Sequence, residues 1–206
     1  MFTPDKFAES QVGNYMKFED GQNRIRILEK PITGYVYWED AEGNLVPKNE
    51  MAGKGGKPVR VKSWEGLTNA QRGAMKGFAA MVVWNYQAER IQILEVKQVG
   101  IMNALEALSL SKSWGDVTSF DIVITKTRTG INPTDVEYSV MPEPKEPVSK
   151  EIKEAYKEAH IDLEALYRGE DPFGVEKTEP EGLEEVDLDD LNVEDLDALL
   201  FPPNKD

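Results

Sequence analysis

The charge is divided so unevenly along this chain that only part of it is suited to folding around a core. Of its 206 residues, 1–150 carry 19 Lys/Arg and 19 Asp/Glu, whereas 151–206 carry 5 and 19. The whole net charge of -14 therefore falls in the last quarter. Its extreme is EGLEEVDLDDLNVEDLDALLF, residues 181–201, where acids alternate with apolar side chains. Self-repulsion and the lack of a continuous apolar face keep such a stretch out of a core, so it reads as a disordered acidic tail. Within the neutral part, residues 51–100 hold 8 basic and 3 acidic side chains, a local excess of positive charge.

Apolar residues make up 40% of the chain, enough for one domain with appendages. With no cysteine there is no disulfide and no thiolate metal site, which fits a reducing, cytoplasmic setting. The N-terminal MFTPDKFAESQVGNY lacks the basic and apolar regions of a signal peptide. No run approaches the ~20 apolar residues that span a bilayer, so no membrane partner is expected.

Residues 15–141 read mainly as strands. YMKFE passes through DGQN into RIRILE, where Arg24 and Arg26 alternate with Ile25 and Ile27. ITGYVYWED alternates again and ends at the turn around Gly43. KNEMAGKGGKP opens into VRVKSW, which as one strand puts Arg60, Lys62 and Trp64 on one face and Val59 and Val61 on the other. LTNAQRGAMK is a short helical piece, GFAAMVVWNY a continuous apolar strand, and QAE a turn into RIQILEV. Ile101, Leu105 and Leu108 place a helix in VGIMNALEALSLS. SFDIVITKTRTG and DVEYSVMP form a last hairpin around GINP. Antiparallel strands with a helix inserted before the final pair suit an OB-type barrel, and a sandwich fits nearly as well.

After PEPKEP, residues 149–168 read as an amphipathic helix capped by Ser149 and ended by Gly169. Ile152, Ala155, Tyr156, Ala159, Leu163, Leu166 and Tyr167 line its apolar face. The expected organisation is a mainly β core over 1–147, a supporting helix over 148–169, a linker over 170–180 and the acidic tail over 181–206.

Catalytic patterns are scarce. The single histidine, His160, supplies neither a zinc ligand set nor the base of a nucleophilic triad. GKGGKP departs from a phosphate loop because Pro58 follows Lys57. DLDDLN has Leu191 where a calcium loop needs a ligand. Asp116 and Asp121 offer two carboxylates close in sequence for magnesium, a weak signal in so acidic a chain. The expectation is a binding protein without cofactor or metal, and not an enzyme.

The middle of the chain interleaves rings with cations: Tyr35, Tyr37, Lys54, Lys57, Arg60, Lys62, Trp64, Arg72, Lys76, Trp84, Tyr86 and Arg90. Bases stack on aromatic faces while Lys and Arg follow the phosphates, so this mixture points to single-stranded nucleic acid. Strand alternation sets Trp38 opposite Tyr35 and Tyr37, so some of these rings belong to the core. The acidic end is expected to compete for the same groove and to recruit partners. Its 23 residues from Glu179 to Phe201 extend to at most about 75–80 Å, against a radius of gyration of about 15 Å for a 150-residue domain. Folded on a partner as a helix capped by Asn192, residues 193–200 put Val193, Leu196, Leu199 and Leu200 on one face. Asp187, Asp189, Asp190, Glu194, Asp195 and Phe201 complete this partner-binding stretch.

KFEDGQNRIRILEKPITGYVYW, VVWNYQAERIQILEV, the helix followed by WGD, FDIVITKTRTG and VEYSVMPEPKEP together resemble phage replicative single-stranded-DNA-binding proteins, over roughly residues 10–175. The resemblance implies an OB-type fold. It implies coating of single strands during DNA replication and recombination in the cytoplasm of an infected bacterial host. It also implies an acidic tail that contacts polymerase, primase or helicase. One branch of the family carries a Cys/His zinc subdomain, which this cysteine-free chain cannot build. Bacterial tails of this kind end at a Pro-Phe carboxylate, whereas here Phe201 is followed by PPNKD. Two rival readings are a virion or assembly protein that docks through its acidic end, and an acidic DNA mimic that inhibits DNA-binding enzymes.

Overall fold

A computed structural model describes residues 13–46, 56–132 and 134–173. The chain divides into a unit of Met1–Glu176 and a second of Lys177–Asp206. The acidic stretch, with Asp187, Asp189, Asp190, Glu194, Asp195, Leu196, Leu199, Leu200 and Phe201, lies outside the described residues, as does Lys54.

The first unit is mainly β. In chain order it contains β1 (Gly21–Ile27), β2 (Ile32–Glu39), β3 (Lys57–Val61), α1 (Asn69–Ala74), β4 (Lys76–Asn85), β5 (Arg90–Val96), α2 (Val99–Leu110), β6 (Phe120–Arg128), β7 (Val136–Lys145), α3 (Lys150–Ala159) and α4 (Ala165–Arg168). Seven antiparallel strands form one sheet in the order β3-β2-β4-β1-β6-β7, with β5 also paired to β4.

The organiser is β4. Its first half pairs β2, from Ala80 opposite Ile32 to Lys76 opposite Val36. Its end pairs β1, Val83 opposite Ile27 and Asn85 opposite Ile25. Along its other side runs β5, from Ala79 opposite Val96 to Asn85 opposite Arg90. Both edges of β4 are thus paired, and a core lies against each of its faces, which explains an uninterrupted apolar run where a half-exposed strand would alternate. Ala79, Met81 and Val83 join Ile25, Ile27, Leu94, Ile101, Leu105, Phe120 and Ile122 in one core beneath α2. Phe78, Ala80 and Val82 join Val36, Ile93, Ile161, Leu163 and Leu166 in a second core on the other face.

Where a closed barrel was expected, the sheet is open. It ends at β3 on one side and β7 on the other. Pro58 stands in β3, and Pro142 and Pro144 in β7, residues that lack the N–H needed to extend a ladder. Beside β5, Met16 donates to the Ile93 carbonyl at 2.9 Å and Ile93 to that of Asn14 at 2.8 Å. YMKFE thus contributes a bridge at Tyr15 rather than a strand.

The helix inserted between β5 and β6 is present as α2, with Ile101 and Leu105 buried. The expected helix over 149–168 is broken. Ser149 does cap α3, accepting from the Ile152 N–H, and Gly169 does end α4 at φ 70°. Between them His160 is left-handed at φ 42°, exposed, and terminates α3. At ~100° per residue, Ile161 falls opposite the Ile152–Tyr156–Ala159 stripe of a continuous helix. The break turns Ile161 inward to 1% exposure beside Leu163 and Leu166.

Candidate nucleic-acid interface

The register of β2 against β3 sorts the predicted residues. Tyr35 faces Val61 and Tyr37 faces Val59, while Val36 faces Arg60 and Trp38 faces Pro58. Cross-strand partners share a face, so Arg60 lies on the opposite side of the sheet from Tyr35 and Tyr37. β3 ends at Val61, so Lys62 and Trp64 belong to the following loop and share no strand face with Arg60. This corrects the alternation expected for VRVKSW. Turn residues intervene because the chain has to rise from the sheet into α1, whose first turn Thr68 and Gln71 close with a capping box.

Two of the proposed base platforms are core residues. Tyr37 is 5% exposed and Trp84 8%, so neither presents a ring face to a base. The Tyr37 hydroxyl accepts from Gln71 Nε2 at 3.2 Å, and burial pushes its phenol up, with Glu39 adding to the shift. Trp84 lies on the even-numbered face of β4, opposite Ile91 of β5 and Arg26 of β1.

Trp64 is different. It is 46% exposed, and the Arg72 guanidinium lies 4.8 Å from its ring centroid. Arg72 is held there by its Nε, which donates to the Leu67 carbonyl at 3.0 Å. Exposed lysines mark the neighbouring strand ends, Lys57 opposite Glu39 and Lys76 opposite Val36.

Tyr35 and Lys62 line a cleft of about 960 Å³ beneath α2, together with Lys30, Met81, Met102 and Leu105. Lys57 and Arg60 line a second, of about 600 Å³, with Tyr15, Tyr167 and Arg168. Lys62 lines only the first cleft; its ammonium pairs with Glu164 at 2.7 Å and lies 5.1 Å from the ring centroid of Tyr167, which lines the second. The Tyr167 hydroxyl donates to the Thr33 carbonyl at 2.6 Å. In the second cleft Arg60 is largely neutralised. Its Nε and Nη2 bind Glu95 Oε2 at 2.8 and 2.7 Å, while Lys97 takes Oε1 at 2.5 Å.

At the far end of β4, Tyr86 is half-buried under the Arg24 guanidinium, 4.5 Å from its ring centroid. Arg24 Nε and Nη2 donate to Asp121 Oδ2 at 2.9 and 2.7 Å, and Arg26 Nε donates to Oδ1. Burial, reinforced by the hydrogen bond to Asp121, pushes the Tyr86 phenol up to about 12. Arg90 is exposed at the start of β5 and packs its guanidinium against Gly13. Asp121 is thus committed to two arginines. Asp116 accepts from the N–H and hydroxyl of Thr118, both at 2.9 Å, and these bonds hold its carboxyl below the usual range. The two carboxylates do not form the paired magnesium site weighed from the sequence.

The predicted patch is therefore distributed over the Trp64–Arg72 pair, the cleft of Tyr35 and Lys62, the cleft of Lys57 and Arg60, and the Tyr86–Arg24 pair. Arg24, Arg26, Asp121 and Tyr167 are additions that the sequence reading did not place there. The alternation in RIRI already put both arginines on one face, but their shared carboxylate is 95 residues or more away in the chain. No helix among the described residues is long and apolar enough to cross a membrane.

No protein-family model matches this chain, nor does any curated protein or solved structure. Geometry alone carries the functional reading.

Proposed function

We propose that this protein binds single-stranded DNA largely without sequence preference, on an open sheet of OB-like character, and is a binding protein rather than an enzyme. The observation that carries the reading is the Trp64–Arg72 pair. A half-exposed indole with a guanidinium on its ring offers a stacking surface and a positive charge together. Stacking on such a ring contributes ~1–3 kcal/mol per base. Lys57 pairs with Glu39, on the face of β2 where Gln71 of α1 bonds Tyr37 and Glu39, so a phosphate chain passing the ring would meet it. Lys76, opposite Val36, lies on the other face. The role that follows is protection of single strands in phage replication and recombination, in the cytoplasm of the infected host, with the acidic segment recruiting replication proteins.

Titration with oligo-dT at low salt, read by tryptophan emission, tests this. Quenching is expected, with log affinity falling against log salt at about -0.7 per phosphate neutralised. A chain lacking residues 178–206 is expected to bind more tightly, most clearly at low salt where charge competition is least screened. If neither form binds, the proposal fails.

A further inference from the structure

We propose that the cleft beneath α2 seats one nucleobase of the bound strand, with the attached 5′-phosphate at Lys62; this rests on the single-strand reading above. The volume, about 960 Å³, lies in the range of small-ligand clefts, ~300–1,000 Å³. Its floor is the edge of the first core: Ala79 and Leu105 show a few per cent of their surface there, with Ile27 and Met81 fully buried behind them.

One glycine keeps the wall facing α2 open to a planar ring. At Gly77 of β4 a Cβ would meet only Met102 Cε, at 3.8 Å, so open space lies between strand and helix. Tyr35 and the Met102 thioether supply polarisable surfaces for a π-system.

Charge at the mouth identifies the class of ligand. Exposed Lys30 and Lys62 stand on the sheet side, and exposed Glu106 and Asp116 on the helix side. Glu29, also at the mouth, accepts from the Tyr156 hydroxyl at 2.6 Å. A fatty acid would use the apolar floor but set its carboxylate against these acids. A nucleotide uses both banks, because base N–H groups donate to carboxylates and a phosphate binds ammonium. Glu164 must yield Lys62 to that phosphate. Their pair is an exposed one, 65% and 49%, of the kind that contributes little.

The test is a titration of the full chain, methyl-labelled at methionine, with dCMP and with deoxyribose 5-phosphate. At millimolar concentration dCMP is expected to shift the Met102 methyl and the sugar phosphate is not. Gly77→Val, which fills the space facing Met102 in a strand that accepts β-branched residues, is expected to abolish that shift. It is also expected to weaken oligo-dC binding by about 5-fold or more. Silence of Met102 toward dCMP, or an equal response to the sugar phosphate, overturns the inference whether or not the variant folds. Strand binding that depends on Trp64 while Met102 stays silent removes the base seat alone. A dCMP response from a chain that binds no oligonucleotide removes the single-strand reading and with it this account of the cleft.

Discussion

Asp121 and Arg26 form an ion pair in which both side chains are withdrawn from water, 3% and 4% exposed. Arg26 also donates from Nη1 to the Glu146 carbonyl at 2.8 Å, tying β1 and β6 to the chain leaving β7. Asp121→Ala would leave that guanidinium buried without its counter-charge. The expected loss is about 3–5 kcal/mol, read as a fall in the urea midpoint by circular dichroism. A loss under ~1 kcal/mol, the level of a surface pair, would show that water reaches the site.

Trp64→Ala removes an exposed ring, so stability should change little. Affinity for oligo-dT should fall by the worth of one stacked base, ~1–3 kcal/mol or about 5- to 150-fold. Arg72→Gln should flatten the salt dependence by about 0.7 of a log unit per log unit. Unchanged affinity in both variants would move the interface away from this loop.

The left-handed backbone at His160, φ 42° and ψ 61°, is adopted by glycine without strain. His160→Gly is expected to leave stability unchanged or raise it by up to ~1 kcal/mol, and His160→Val to lower it by ~1–2 kcal/mol. Equal thermal midpoints for both variants would mean that the chain does not turn here.

Tyrosine ionisation sets the alkaline limit. The Tyr86 phenol is raised to about 12, from an ordinary 10.0. A raised acid holds its proton longer in the folded state, so its contribution is complete below pH 10.0 and is lost as pH rises toward 12. Tyr15, Tyr37, Tyr156 and Tyr167 are shifted the same way, burial being the largest cause for each. Stability followed by urea midpoint should therefore decline above pH 10, and less steeply in Tyr86→Phe. Absorbance at the tyrosinate band should show one fewer late-titrating group in that variant.

Much of the secondary structure was legible because each signal is local. Alternation gave β1 and β2, the apolar run β4, the Ile101–Leu105 spacing α2, and Ser149 and Gly169 the two ends of the α3–α4 segment. The site was less legible. Trp64 was readable as a ring among cations, but the position of Arg72 over it depends on a loop and a capping box that turn VRVKSW away from strand geometry. Tyr37 and Trp84 looked like platforms for the same reason that they are core: aromatic strand residues serve either role until a second layer is placed.

By itself the sequence determined where a core was affordable, since charge is balanced over residues 1–150 and acidic beyond them, and which residues would alternate in strands. Tertiary structure decided which face of each strand met a partner. That choice belongs to long-range pairing, β1 with β6 and β2 with β4, where a shift of one residue reverses every side chain. It put Arg60 against Glu95, gave both arginines of β1 to Asp121, and left Trp64 at the surface.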